Sequence, residues 1–212
     1  MSEYFDDLGL RERKRLATRR AIQLAVLTLA QNRGIDKVTI DDISRVAGVS
    51  PRTFFNYFAS KDAALVGDAP GLGTADDVEL FVHGGPDGDI WEQLAVLIAA
   101  SLERTESDRE IHRLRREMMQ DSVYLLGVRV AAVRVFEQQL HDVFERRFLI
   151  DRPERTEEPG ALAQEALLFT MISVAAIRHA WRCWVDGDGS ITLSGQVRAS
   201  FAQVYTMTRR SG

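Results

Sequence analysis

The stretch "VSPRTFFNYFASK", Val49 to Lys61, concentrates side chains that can do more than fill a core. Arg52 can grip guanine O6 and N7, and Asn56 can grip adenine N6 and N7. Thr53 and the ring edge of Phe55 can touch thymine methyl groups. Lys61 and the free N–H groups around Thr39 suit phosphate oxygens. Phe54 and Phe58 stand at i, i+4 and turn to a common interior, which leaves Arg52, Thr53 and Asn56 outward, with Phe55 and Tyr57 on the flanks. Apolar pattern alone would assign the segment to a short core helix.

Positioning these residues needs a second helix and a sharp turn. Ile40 to Ala47 has the apolar spacing of a helix, with Ile40, Ile43, Val46 and Ala47 as the expected inward face. Thr39 is its N-cap, and Asp42 sits where a capping-box acid would sit. Gly48-Val49-Ser50 forms the corner, and Gly48 suits a left-handed backbone position. Ser50 caps the next helix, and Pro51 suits its first turn. Two short helices crossing at such a corner are a helix-turn-helix, whose second helix enters the major groove with its N-terminal half at the base edges. Arg45 is outward on the first of the pair, where solvation and a phosphate contact are equally good readings. A longer helix precedes them, Leu10 to Asn32, with Ile22, Ala25, Val26, Leu29 and Ala30 on one face and Gly34 as its stop. A fourth starts after Ser60.

Net charge is −4 over 212 residues, which at first argues against a nucleic-acid partner. The distribution argues for one. Residues 1–61 hold 11 Lys/Arg against 7 Asp/Glu, a charge of +4, and the remainder carries −8. Arg11 to Arg20 alone has six basic residues and one Glu. A basic head on an acidic body fits a nucleic-acid-facing segment, and a solvated basic helix face is the alternative on charge alone.

Beyond residue 66 the composition changes. Residues 67–88 contain six glycines and two prolines around a short expected helix, Ala75 to Val82. Long helical patterns follow: Ile90 to Thr105, Asp108 to Gln120, Val123 to Phe148, Gly160 to Val185 and Leu193 to Thr208. No strand pattern competes, so an all-α fold is expected. Its domains are a helix-turn-helix domain at 1–66 and a helical body at 67–212, with a linker region at 67–89. The helix from Gly160 to Val185 is apolar nearly all round, which requires burial on more than one side. Trp91, Met118, Phe136, Phe169, His179 and Trp181 read either as core or as the lining of a flexible apolar pocket. Glu137, His141 and Glu145 share metal-ligand spacing, but a solvated charged face is the preferred reading. No phosphate loop, nucleophile elbow or His-Glu-x-x-His helix is present, so no catalytic residue, metal or cofactor is expected. Cys183 is the single cysteine, and the acidic start has no apolar signal region. A cytoplasmic protein without a membrane partner is expected.

Thr39 to Leu65, with its Ala-Gly-Val-Ser turn, its Thr-aromatic-aromatic-x-Tyr-Phe helix and its Ser-Lys-Asp continuation, resembles the DNA-binding signature of TetR-type transcriptional regulators. The resemblance covers roughly residues 11–65. It implies base or backbone contacts by Thr39, Ser50, Arg52, Thr53, Phe55, Asn56, Tyr57 and Lys61. Phe55 departs from the family's usual Tyr and loses one phosphate hydrogen bond. The family layout further implies a homodimer through the last two helices, a palindromic double-stranded DNA operator, and release by a small, mostly apolar or amphipathic effector. A ligand-independent regulator of the same fold is the runner-up, and a metal protein or enzyme comes third.

Overall fold

A computed structural model describes residues 9–67, 71–85, 88–103, 108–120, 123–154 and 159–209. Among them the chain is all-α, with ten α-helices and one 3-10 turn. In chain order these are α1 (Leu10–Arg33), the 3-10 turn Ile35–Lys37, α2 (Ile40–Ala47), α3 (Pro51–Tyr57) and α4 (Lys61–Val66). Then come α5 (Ala75–Val82), α6 (Ile90–Glu103), α7 (Arg109–Gln120), α8 (Val123–Asp151), α9 (Pro159–Asp186) and α10 (Leu193–Arg209).

Local chemistry explains the short helices. Each of α2 to α5 starts at a hydroxyl cap that accepts an otherwise orphaned backbone N–H: Thr39 from Asp42, Ser50 from Thr53, Ser60 from Ala63 and Thr74 from Asp77. At Thr74 the cap is reciprocal, since Asp77 also accepts from the Thr74 backbone. α2 ends at Gly48, whose φ of 68° is left-handed, a conformation glycine takes without steric cost.

The helices gather into two units. The first holds residues 1–68 and 108–130, and the second holds 69–107 and 131–212. This differs from a single boundary near residue 66. Within the first unit α7 packs against α1, with Ile111, Leu114 and Met118 joining the cluster of Ile22, Val26, Leu27, Ile43, Phe54, Phe58 and Leu65. Composition marks the glycine-rich segment after α4 but carries no trace of a helix that returns 40 residues later. All five residues expected on the inward face of α1 are buried. α2 brings one correction. Val46 is 52% exposed, while Ser44 is buried beside Ile43. On a 100° wheel Ile40, Ile43, Ser44 and Ala47 share a stripe that Val46 leaves.

In the second unit α10 packs against α6 and α9, and α5 against α6. Its core includes Phe81, Trp91, Leu94, Phe136, Leu140, Phe144, Phe148, Val197 and Phe201. Arg147 of α8 lies inside, 1% exposed. It pairs with Asp151 at 2.6 Å and donates to the Phe81 and Gly85 carbonyls, so its guanidinium ties off the end of α5. α9 is long and apolar enough, at a mean hydropathy of 1.6, to cross a membrane by length and composition. Its Leu162, Ala166, Ala176, Ile177 and Ala180 are instead buried in this core.

Candidate nucleic-acid interface

α2, the Gly48-Val49-Ser50 corner and α3 form the expected helix-turn-helix. Phe54 is wholly buried and Phe58 nearly so, which fixes the rotation of α3. Their rings meet at 6.1 Å. Burying both sides of this turn leaves the opposite side in water. Arg52 and Asn56 are exposed, and neither makes a hydrogen bond or ion pair with a described residue. Phe55 is 57% exposed and lies edge-on to Phe54 at 5.5 Å. The exposed edge of this ring gains no stability from water and is left accessible. Thr53 is half-buried, and its hydroxyl meets Ser50 Oγ at 2.8 Å. Tyr57 is half-buried against the core cluster.

Cations around this surface divide into two sets. Arg45 is exposed but bonded to Asp42 at 2.6 Å. Asp42 also accepts from Thr39 Oγ1 at 2.9 Å. The Thr39 hydroxyl and then Arg45 hold the Asp42 carboxyl below the ordinary aspartate range. Thr39 and Ser50 are exposed hydroxyls already engaged as caps. Lys61 is turned inward, with Nζ donating to Ile35 O at 2.8 Å and Val38 O at 3.1 Å. Arg19 donates to Tyr57 O at 3.3 Å, with its guanidinium 4.3 Å from the centre of the Phe58 ring. Arg20 pairs with Asp108 and Glu110. The sequence marks Arg19 only as part of a basic run, and its distinct role depends on which way α1 rolls onto α3. Arg11, Lys14, Lys37 and Arg52 remain without a partner among the described residues.

The six body residues singled out in sequence do not converge. Met118 belongs to the first unit. Trp91, Phe136 and Phe169 pack in the core of the second, with Trp91 stacked on Phe169 at 4.8 Å and 8°. Trp181 lies partly buried at that core, edge-on to Trp184. His179 is exposed, 3.0 Å from Ser200 Oγ and 3.4 Å from Cys183 Sγ. An opening of about 370 Å³ is lined by none of the six but adjoins Trp91 through Phe201; its lining is Asp89, Glu92, Ala95, Arg198, Phe201, Ala202 and Tyr205. His141 meets Glu145 at 3.5 Å, and no group of three metal-type ligands occurs among the described residues.

Residues 25–66 match the family described as bacterial regulatory proteins, tetR family. Two curated relatives match part of the chain. The uncharacterized HTH-type transcriptional regulator YvdT of Bacillus subtilis is 35% identical over 89 residues, 41% of this chain and 45% of its own. The Mycobacterium tuberculosis protein MftR is 41% identical over 56 residues, 26% of this chain and 28% of its own. The chain thus spans less than half the length of the curated relatives it matches. A crystal structure of Thermus thermophilus FadR, a TetR-family transcriptional repressor in complex with lauroyl-CoA, aligns with 88% of this chain and 93% of its own. The identity is 19% and the TM-score 0.45. The helix-turn-helix of α2 and α3 lies within the segment that matches the tetR family, residues 25–66.

Proposed function

We propose that this protein is a tetR-family transcriptional regulator, a dimeric repressor that reads a palindromic operator through α3 and leaves it when a small molecule binds the second unit. The observation that carries the reading is the outward face of α3, where Arg52, Phe55 and Asn56 are exposed on a helix fixed by buried Phe54 and Phe58. One short helix covers only a few base pairs. Two copies set one helical turn of DNA apart, about 34–36 Å, read a two-fold site.

The apolar character of α9 supports the dimer. Leu167, Leu168 and Met171 are 51%, 56% and 63% exposed on a helix whose other side is core. Covering such a stripe with its two-fold copy removes it from water. For the effector, the Trp91–Phe169 pair is closely stacked, and the opening lined by Phe201 offers a ligand a place to enter without parting these rings. Asp89, Glu92, Arg198 and Tyr205 around that opening favour an amphipathic molecule over a purely apolar one. Whatever weakens DNA binding in this way is itself weakened by DNA to the same factor.

Fluorescence anisotropy with DNA from directly upstream of the protein's own gene, against shuffled DNA at two salt concentrations, tests the reading. Tight, sequence-dependent binding by a dimer is expected. Equal weak binding of both duplexes, or a monomer at micromolar concentration by light scattering, contradicts it.

A further inference from the structure

The opening in the second unit has a charge pattern of its own. It measures about 370 Å³, near the lower end of the range that takes a small organic molecule. Its walls come from α6 and α10, with Asp89 just before α6. Small residues leave the space, Ala95 on one wall and Ala202 on the other, and the rings of Phe201 and Tyr205 give it an apolar side. Phe201 is 1% exposed and lies 6.3 Å from Trp91, so that floor is held in place.

Two contacts give the relative direction of the helices. Trp91, near the start of α6, meets Phe201, and Glu103, at its end, lies 3.9 Å from Arg198. The later end of α6 thus faces the earlier end of α10, and the two run in opposite senses. Asp89 therefore lies toward Tyr205, and Arg198 toward the other end. The helical rise from Arg198 to Tyr205 is about 10 Å. These charges are only loosely used within the chain. Asp89 Oδ1 accepts the Trp91 N–H at 2.9 Å, and Oδ2 has no partner among the described residues. Glu92 is exposed and makes no hydrogen bond or ion pair with a described residue. Arg198 is exposed too, and its 3.9 Å pair with Glu103 is long and solvated, so it holds the guanidinium weakly. Arg209 already lies over the Tyr205 ring at 4.5 Å, which leaves the carboxylates as the seat for a cation.

We propose that this opening binds a linear zwitterion, with its ammonium on Asp89 and Glu92, its carboxylate on Arg198 and its carbon chain along Ala95, Phe201 and Ala202. An alkylamine would leave the guanidinium beside an apolar end. A fatty acid would set its tail against two carboxylates. A molecule with both charges meets both ends of the opening. The proposal rests on the reading that the second unit takes a small molecule, and it names the chemical class of that molecule.

Isothermal titration calorimetry on the full chain, with 8-aminooctanoate, octylamine and octanoate as probes, tests this. The three share one carbon chain and differ only in their ends. 8-Aminooctanoate is expected to bind about tenfold more tightly than either singly charged probe, the scale of one hydrogen bond to a charged group. Arg198→Gln should remove its advantage over octylamine, and Glu92→Gln should narrow its advantage over octanoate. Ala202→Leu should weaken all three by filling the space. All three substituted residues are exposed, so the fold tolerates the changes. No binding of the zwitterion, equal binding of the three probes, or an advantage over octylamine that survives Arg198→Gln overturns the proposal. Binding in the expected pattern that leaves operator affinity unchanged in anisotropy supports the site, and counts against the release of DNA by its ligand instead.

Discussion

The two units treat their aromatic side chains in opposite ways. In the first, Phe54 and Phe58 go inward while Phe55, between them, is held out in water. In the second, Phe81, Trp91, Phe144, Phe148, Phe169 and Phe201 close on one another. The same contrast holds for arginine. Arg52 is exposed and unpartnered among described residues, whereas Arg147 is buried and bonded on several sides. A reading surface must keep hydrogen-bonding groups idle until DNA arrives, and that is tolerable only where water solvates them meanwhile. A body that holds five helices together has no such need, and it uses its polar groups to close helix ends.

This contrast can be broken from either side. The largest effect is expected at Arg147. Arg147→Met leaves the Asp151 carboxylate unpaired and removes this donor from the Gly85 carbonyl, while Phe81 O keeps the Gly84 N–H, so stability should fall by about 3–5 kcal/mol, chiefly through the buried carboxylate. Chemical denaturation checks this, and a loss under about 1 kcal/mol would show that the buried guanidinium is dispensable. Next is the corner of the reading head. Gly48 has open space around it, so Gly48→Ala tests backbone conformation alone. Forcing a side chain into this left-handed turn should cost about 1–2 kcal/mol. An unchanged midpoint would mean that the corner relaxes freely.

The smallest expected effect is a dependence on pH. Because Asp42 is held below its ordinary range by Thr39 and Arg45, its ionised form favours the folded state. That contribution is complete above the unfolded aspartate value of about 3.9 and is lost as pH falls through the lower folded value. Asp42→Asn should therefore flatten the decline of the thermal midpoint on acidification from pH 5 to pH 3. A decline identical to the parent's would assign the acid sensitivity to other carboxylates.

The two units also differ in how far their sequence could be understood. In the reading head most of the structure is local. Thr39, Ser50 and Ser60 each cap the helix that follows, Gly48 takes the left-handed corner, and Phe54 and Phe58 point to one side, all between Thr39 and Ser60. Spacing alone reveals such features. What it missed there is tertiary. Val46 fits an apolar pattern yet faces water, and the ammonium of Lys61 reaches back 26 residues to Ile35 instead of outward. In the body the helices are legible within a few residues, because apolar periodicity marks them. Their partners are not. Met118 looked like a companion of Trp91 and Phe169 and lies in the other unit. Its place depends on packing between segments distant in sequence, which periodicity does not record.

The central claim is that the exposed side of α3 reads base edges. The most direct test is Arg52→Ala against a set of operator variants with one base pair changed at a time, measured beside the parent protein. Discrimination should relax by about 1–3 kcal/mol at a single position, with affinity for shuffled DNA nearly unchanged. A uniform loss across every variant, with a smaller salt slope, would place Arg52 on the phosphate backbone and contradict the assignment of α3 as the reading helix.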